Sequence, residues 1–75
     1  MGSNFGKRLQ MLRIDERMTG SELGKLFGVT KSAVSSWEVR NRFPNETVLK
    51  GLAEHFGVSL SYLLGDSNIR KPLMK

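Results

Sequence analysis

The chain has 75 residues and a mass of 8.4 kDa, with 39% hydrophobic residues, 25% charged residues and a net charge of +5. That length allows a single small domain, and the composition argues against a disordered chain and rules out a membrane span, which would need an apolar run of about 20 residues. With no cysteine and one histidine, His55, neither disulfides nor a zinc cluster staples the fold; the reducing cytoplasm is its natural compartment, and the excess of Lys and Arg favours a polyanionic partner.

The opening residues Met1 to Gly6 hold no apolar stretch of the secretory-leader kind. Phe5, Leu9 and Leu12, with Ile14 beyond them, recur at helical spacing and predict a first helix over about 4–16, with Asn4 as its N-cap. Thr19-Gly-Ser-Glu22 is a capping-box pattern and starts a second helix over about 19–27. Its apolar stripe is Leu23, Leu26 and Phe27, and Gly28 is placed to end it in a left-handed conformation. Thr30 caps a third helix over 31–39, with Val34 and Trp37 turned inward. Asn41 to Pro44 reads as a loop, because proline and the residue before it resist helix.

Asn45 caps a fourth helix over 45–56, whose apolar face is Val48, Leu49, Leu52, Ala53 and Phe56 and whose stop is Gly57. Ser59 caps a short fifth helix over 60–64, carrying Leu60, Leu63 and Leu64 and ended by Gly65. No run alternates with period two, so the fold class is all-α with five helices and no sheet. The domain is expected to occupy 1–65. Residues 66–75, polar and aperiodic with a proline, read as a flexible tail or the start of a linker.

The segment from Thr19 to Trp37 is the most informative. Two short helices meet at Phe27-Gly-Val-Thr30, a corner tight enough for a steeply crossing helix-turn-helix pair. Gly28 permits the positive φ that such a corner needs. Gly24 sits in mid-helix, where glycine costs about 1 kcal/mol relative to alanine; a close approach by the next helix would explain its presence.

Residues 5–65 resemble a lambda-repressor-like DNA-binding domain of the Cro/CI (Xre) family, of the phage-repressor type. The resemblance is carried by Phe5-Gly-Lys-Arg-Leu9, Thr19-Gly-Ser-Glu-Leu23, Phe27-Gly-Val-Thr-Lys-Ser-Ala-Val-Ser-Ser-Trp-Glu38, Pro44-Asn45 and Gly57-Val-Ser-Leu-Ser-Tyr-Leu-Leu-Gly65. It implies that helix 31–39 enters the DNA major groove with its N-terminal end deepest. The residues agree. With Val34 and Trp37 inward, the outer face presents Lys31, Ser32, Ser35, Ser36 and Val39, which are mostly short and polar. Serine can donate to or accept from any base edge, and lysine suits the O6 and N7 acceptors of guanine. Lys31, Ser32, Ser35 and Ser36 are therefore the expected base contacts.

Backbone contacts are expected from Gly20 and Ser21, whose amides open the second helix, and from Arg40, Asn41 and Arg42 after the third. Where Gly20 stands the family very often has Gln, whose side chain binds a phosphate; only the main-chain amide remains here. The family also favours Gly or Asn near Val39 and Arg40, so the turn after the third helix must form without glycine. Lys7 and Arg8 add basic charge on the first helix, at least one of them simply solvated. Arg13 and Glu38 match a family pair that forms an orienting salt bridge between the first and third helices. Such repressors make their two-fold contact near the last helix, so Val58, Leu60, Ser61 and Leu64 are the candidates for dimer contacts.

The resulting expectation is a transcriptional regulator, a repressor on a palindromic operator, binding double-stranded DNA as a homodimer that is weak or DNA-dependent. The alternative is an antitoxin or protein-interaction module on the same fold, with a toxin or antirepressor as partner. A net charge of +5 and the few cations on the groove face argue against a non-specific nucleic-acid coat. No cofactor, metal or catalytic role is expected: His55 has no cysteine and few acidic neighbours, and the serines of the third helix have no evident base.

Overall fold

The computed structural model describes residues 4–65, and these are organised as α1 (Phe5–Asp15), α2 (Gly20–Phe27), α3 (Lys31–Val39), α4 (Glu46–Phe56) and α5 (Leu60–Leu64). The tail expected at 66–75 lies outside the described residues. The helix ends fall where the local chemistry puts them. The Thr19 hydroxyl accepts from the Glu22 amide at 3.1 Å, and the Glu22 carboxylate accepts from the Thr19 amide at 2.7 Å, completing the capping box. Thr30, Asn45 and Ser59 cap α3, α4 and α5 by accepting from Ala33, Val48 and Tyr62. Gly28 turns out of α2 at φ +70°.

The first helix departs from this pattern at both ends. Asn4 occupies the N-cap position, but its side chain makes no capping bond. At the other end a non-glycine residue, Arg17, takes φ +58°. The Arg17 amide donates to Ile14 O at 2.9 Å and the Met18 amide to Arg13 O at 3.0 Å, the paired bonds of a Schellman closure.

The core gathers Phe5, Leu9 and Leu12 from α1, Leu23 from α2, Val34 and Trp37 from α3, Leu52, Ala53 and Phe56 from α4, and Tyr62 and Leu63 from α5. Two expected stripe members lie outside it. Ile14 is 57% exposed, because two residues beyond Leu12 is roughly 200° around the helix. Leu26 is 56% exposed, because Leu23, Gly24 and Phe27 define the inward side of α2 and residue 26 falls roughly 100° from its centre.

Val58 also corrects an expectation. It is buried in the core and presents no surface for a dimer contact. It follows Gly57, which is left-handed at φ +67°, and its amide donates to Ala53 O at 3.0 Å. An apolar residue at that point folds back on the helix it has just left.

The packing settles which side of α3 is free. α3 lies against both α1 and α2, while α5 closes on α1 and α4. Gly24 makes the α2–α3 corner possible: a Cβ there would lie 2.7 Å from Val29 O, so the turn itself occupies that space. Held from behind by two helices, α3 leaves its outer face uncovered.

Candidate nucleic-acid interface

On that outer face Lys31, Ser32 and Ser35 are exposed and Ser36 is half-buried. Val39, one turn further on, is 77% exposed. Ser32, Ser35, Ser36, Val39 and Arg40 line one shallow concavity. No carboxylate belongs to this row, since Glu38 turns to the opposite side. Of the expected base-contact residues, all four lie on this face.

The start of α2 abuts the start of α3. A Cβ built on Gly20 would lie 3.6 Å from Lys31 Cγ, an ordinary contact that leaves room for a side chain. The Gly20 and Ser21 amides belong to the first turn of α2 and have no acceptor within the helix. Two open amides and a lysine thus share one end of the α3 face, which suits an anion.

The other end of α3 carries Arg40, Asn41 and Arg42, all exposed. The turn forms without glycine because Asn41 takes φ +57°. Its side-chain Oδ1 accepts from the Gly6 amide at 2.7 Å, thirty-five positions away. This supplies the cap that Asn4 does not make. Gly6 lies so close to α3 that a Cβ there would run into the Glu38 carbonyl oxygen and reach 2.8 Å from that of Trp37. Phe43 completes the seam, its ring edge-on to Phe5 with centroids 5.1 Å apart. Nothing in the spacing of the sequence signals this seam between Phe5-Gly6 and the loop after α3.

Below the seam, Arg13 grips Glu38. Nε donates to Oε2 at 2.7 Å, Nη2 to Oε1 at 3.0 Å, and Nη1 to Met18 O at 2.7 Å. The side chains are only 15% and 6% exposed. Donating hydrogen bonds to the Glu38 carboxylate holds the Arg13 guanidinium above arginine's ordinary pKa; burial opposes this and the carboxylate's charge adds to it. The pair ties the last turn of α3 to α1, and one arm also reaches the α1–α2 turn.

Other polar residues serve elsewhere. Arg8 lies over the Tyr62 ring at 4.3 Å and donates to Tyr62 O at 3.1 Å, joining α1 to α5, while Lys7 stays exposed. Trp37 belongs to the core. His55 Nε2 is 3.9 Å from Glu16 and its ring meets Phe56 edge-on. Among the described residues no group of His, Asp or Glu could hold a metal ion, and no helix is long and apolar enough to cross a membrane. On α5, Ser61 is exposed and Leu60 and Leu64 are half-buried.

Residues 13–69 match the bacteriophage CI repressor helix-turn-helix domain model. The chain is 31% identical over 65 residues to the HTH-type transcriptional activator BcrR of Enterococcus faecalis, covering 87% of this chain and 32% of BcrR. It is also 31% identical over 65 residues to the HTH-type transcriptional regulator YqaE of Bacillus subtilis, covering 85% of this chain and 56% of YqaE. The chain therefore spans about a third of one relative and little over half of the other. Among solved structures, the P22 c2 repressor in complex with a synthetic operator superposes with a TM-score of 0.76 at 32% identity, covering 84% of this chain and 96% of that one.

Proposed function

The chain belongs to the bacteriophage CI repressor helix-turn-helix family, and from that premise we propose that it regulates transcription by reading duplex DNA at an operator, as a cytoplasmic repressor. The observation that carries the reading is α3. One side is committed to the core, and the other is a row of small hydroxyls bracketed by cationic ends. Lys31, Ser32, Ser35 and Ser36 meet base edges in the major groove, each well-placed contact discriminating by about 1–3 kcal/mol. The Gly20 and Ser21 amides and the side chains of Arg40 and Arg42 hold phosphates on either side, which fixes register. The likeness to the P22 c2 repressor, which is solved in complex with a synthetic operator, supports the DNA-binding reading. The Arg13–Glu38 pair orients α3 and stays clear of the DNA.

A binding role needs neither cofactor nor catalysis. We take residues 1–65 as the reading domain. Two copies related by a two-fold axis, meeting through Leu60, Ser61 and Leu64, set their recognition helices about 34 Å apart in successive major grooves.

The test is selection of bound sites from a random duplex pool at physiological salt, run with the wild-type chain and with Lys31→Ala and Ser32→Ala. We expect a palindrome with half-sites about one helical turn apart, and loss of preference at defined positions in the two variants. A pool returned without enrichment refutes the reading and redirects the search to a protein partner such as a toxin.

A further inference from the structure

The seam between Phe5-Gly6 and the loop after α3 is more elaborate than a surface loop needs. The Arg40–Arg42 stretch is fastened to two adjacent residues of α1, through its middle residue and through the residue just after it. Asn41 takes a left-handed conformation and accepts the Gly6 amide at 2.7 Å. Phe43 sets its ring against Phe5. Gly6 itself lies against the last turn of α3 with no room for a side chain. The Arg42 amide adds a bond back to Ser36 O at 3.3 Å. The two arginines on either side of Asn41 are exposed and carry the charge.

We propose that Asn41 is a positioning residue, not a DNA contact: by capping α1 it holds the backbone from which Arg40 and Arg42 reach the phosphates. The proposal rests on the DNA-reading function above and assigns Asn41 a different part in it. The chemistry is specific. The left-handed turn could be made by glycine, but glycine has no acceptor for the Gly6 amide. Aspartate could make both, since it tolerates the left-handed region and accepts hydrogen bonds. Fixing the backbone in advance removes ordering that the arginines would otherwise undergo on binding.

Asn41→Gly separates the two features, because it keeps the turn and deletes the acceptor without changing charge. Three measurements decide. The Gly6 amide resonance of the free protein should shift in Asn41→Gly and stay near its wild-type position in Asn41→Asp. Affinity of Asn41→Gly for a selected duplex should fall about tenfold, with base preference unchanged. The slope of log K against log salt should shrink by about 1–2 although every cation is still present, since each phosphate contact contributes about 0.9. A residue that only stabilises the fold leaves that slope alone.

The same substitution in an Arg40→Ala/Arg42→Ala background should have almost no further effect. An unmoved Gly6 resonance, an unchanged salt slope, or a full additional loss in the double-alanine background overturns the proposal. A wild-type chain with no salt-dependent duplex binding is a different result and removes the DNA-reading function itself.

Discussion

Gly6 and Gly28 are the same residue type and have quite different surroundings in the molecule. At Gly28 nothing lies within 4 Å of a built Cβ, and only the backbone conformation at φ +70° calls for glycine. Gly28→Ala should therefore lower stability by about 1 kcal/mol, the usual penalty for a left-handed non-glycine residue. At Gly6 the backbone is helical, and alanine should on propensity alone gain about 1 kcal/mol. There the added carbon meets two α3 carbonyls. Gly6→Ala should instead destabilise by about 2 kcal/mol or more, since α1 and α3 must move apart. Urea melts of the two variants rank them directly, and equal losses would show that the α1–α3 approach is looser than its geometry. A sharper loss is expected at Glu38. Glu38→Ala strands the nearly buried Arg13 charge and should lower stability by about 3–5 kcal/mol. The pH dependence has a defined sign. The pKa of Arg13 is raised in the fold, so its contribution is complete below arginine's ordinary range and is lost only as pH rises through the raised value. Thermal melts should accordingly show no loss from this arginine across the neutral range.

The helices owe their boundaries to single residues, which is why their limits are legible in the sequence. Thr19, Thr30, Asn45 and Ser59 each cap a third amide, and Gly28, Gly57 and Gly65 each end a helix in the left-handed region. These devices act within four residues of themselves, so the string of residues displays them. α3 depends on Thr30 in this way. Thr30→Ala should lower stability by about 1 kcal/mol and fray the end that carries Lys31 and Ser32, weakening duplex binding as well; Thr30→Ser should restore both. The string does not display the bonds that join distant segments. The Asn41–Gly6 bond spans thirty-five positions and the Arg8–Tyr62 contact fifty-four, and no local pattern marks either. Burial of Val58 is legible in principle, since an apolar residue just after a left-handed glycine tends to fold back on its helix. Its closeness to the exposed positions of α5 masks that signal and places it among the dimer candidates. The exposure of Leu26 and Ile14 shows the remaining difficulty, which is that a short helix with several apolar residues fits more than one inward direction.

Assembly is decided at the scale of the whole molecule. α5 is five residues long, about 7.5 Å of helix, and two of its apolar side chains are already half-spent on the core. A stable dimer interface usually buries at least about 1,200 Å² in total. So small a helix cannot supply that area alone, and the free chain should be monomeric at micromolar concentration in sedimentation experiments. On the two-fold operator proposed above, two copies at adjacent half-sites would be held at high local concentration, so a contact too weak to form in solution would still add to affinity. Ser61 is the place to test this, because it is exposed on α5 and contributes nothing to the core. Ser61→Glu sets two like charges face to face across a two-fold axis. It should leave the melting temperature unchanged and single half-site affinity nearly so, while binding to the full operator loses about tenfold through the vanished pair term, about 1.4 kcal/mol. Equal losses on half-site and full operator would place Ser61 near the DNA instead of between the copies. No loss on either would move the two-fold contact off α5 altogether.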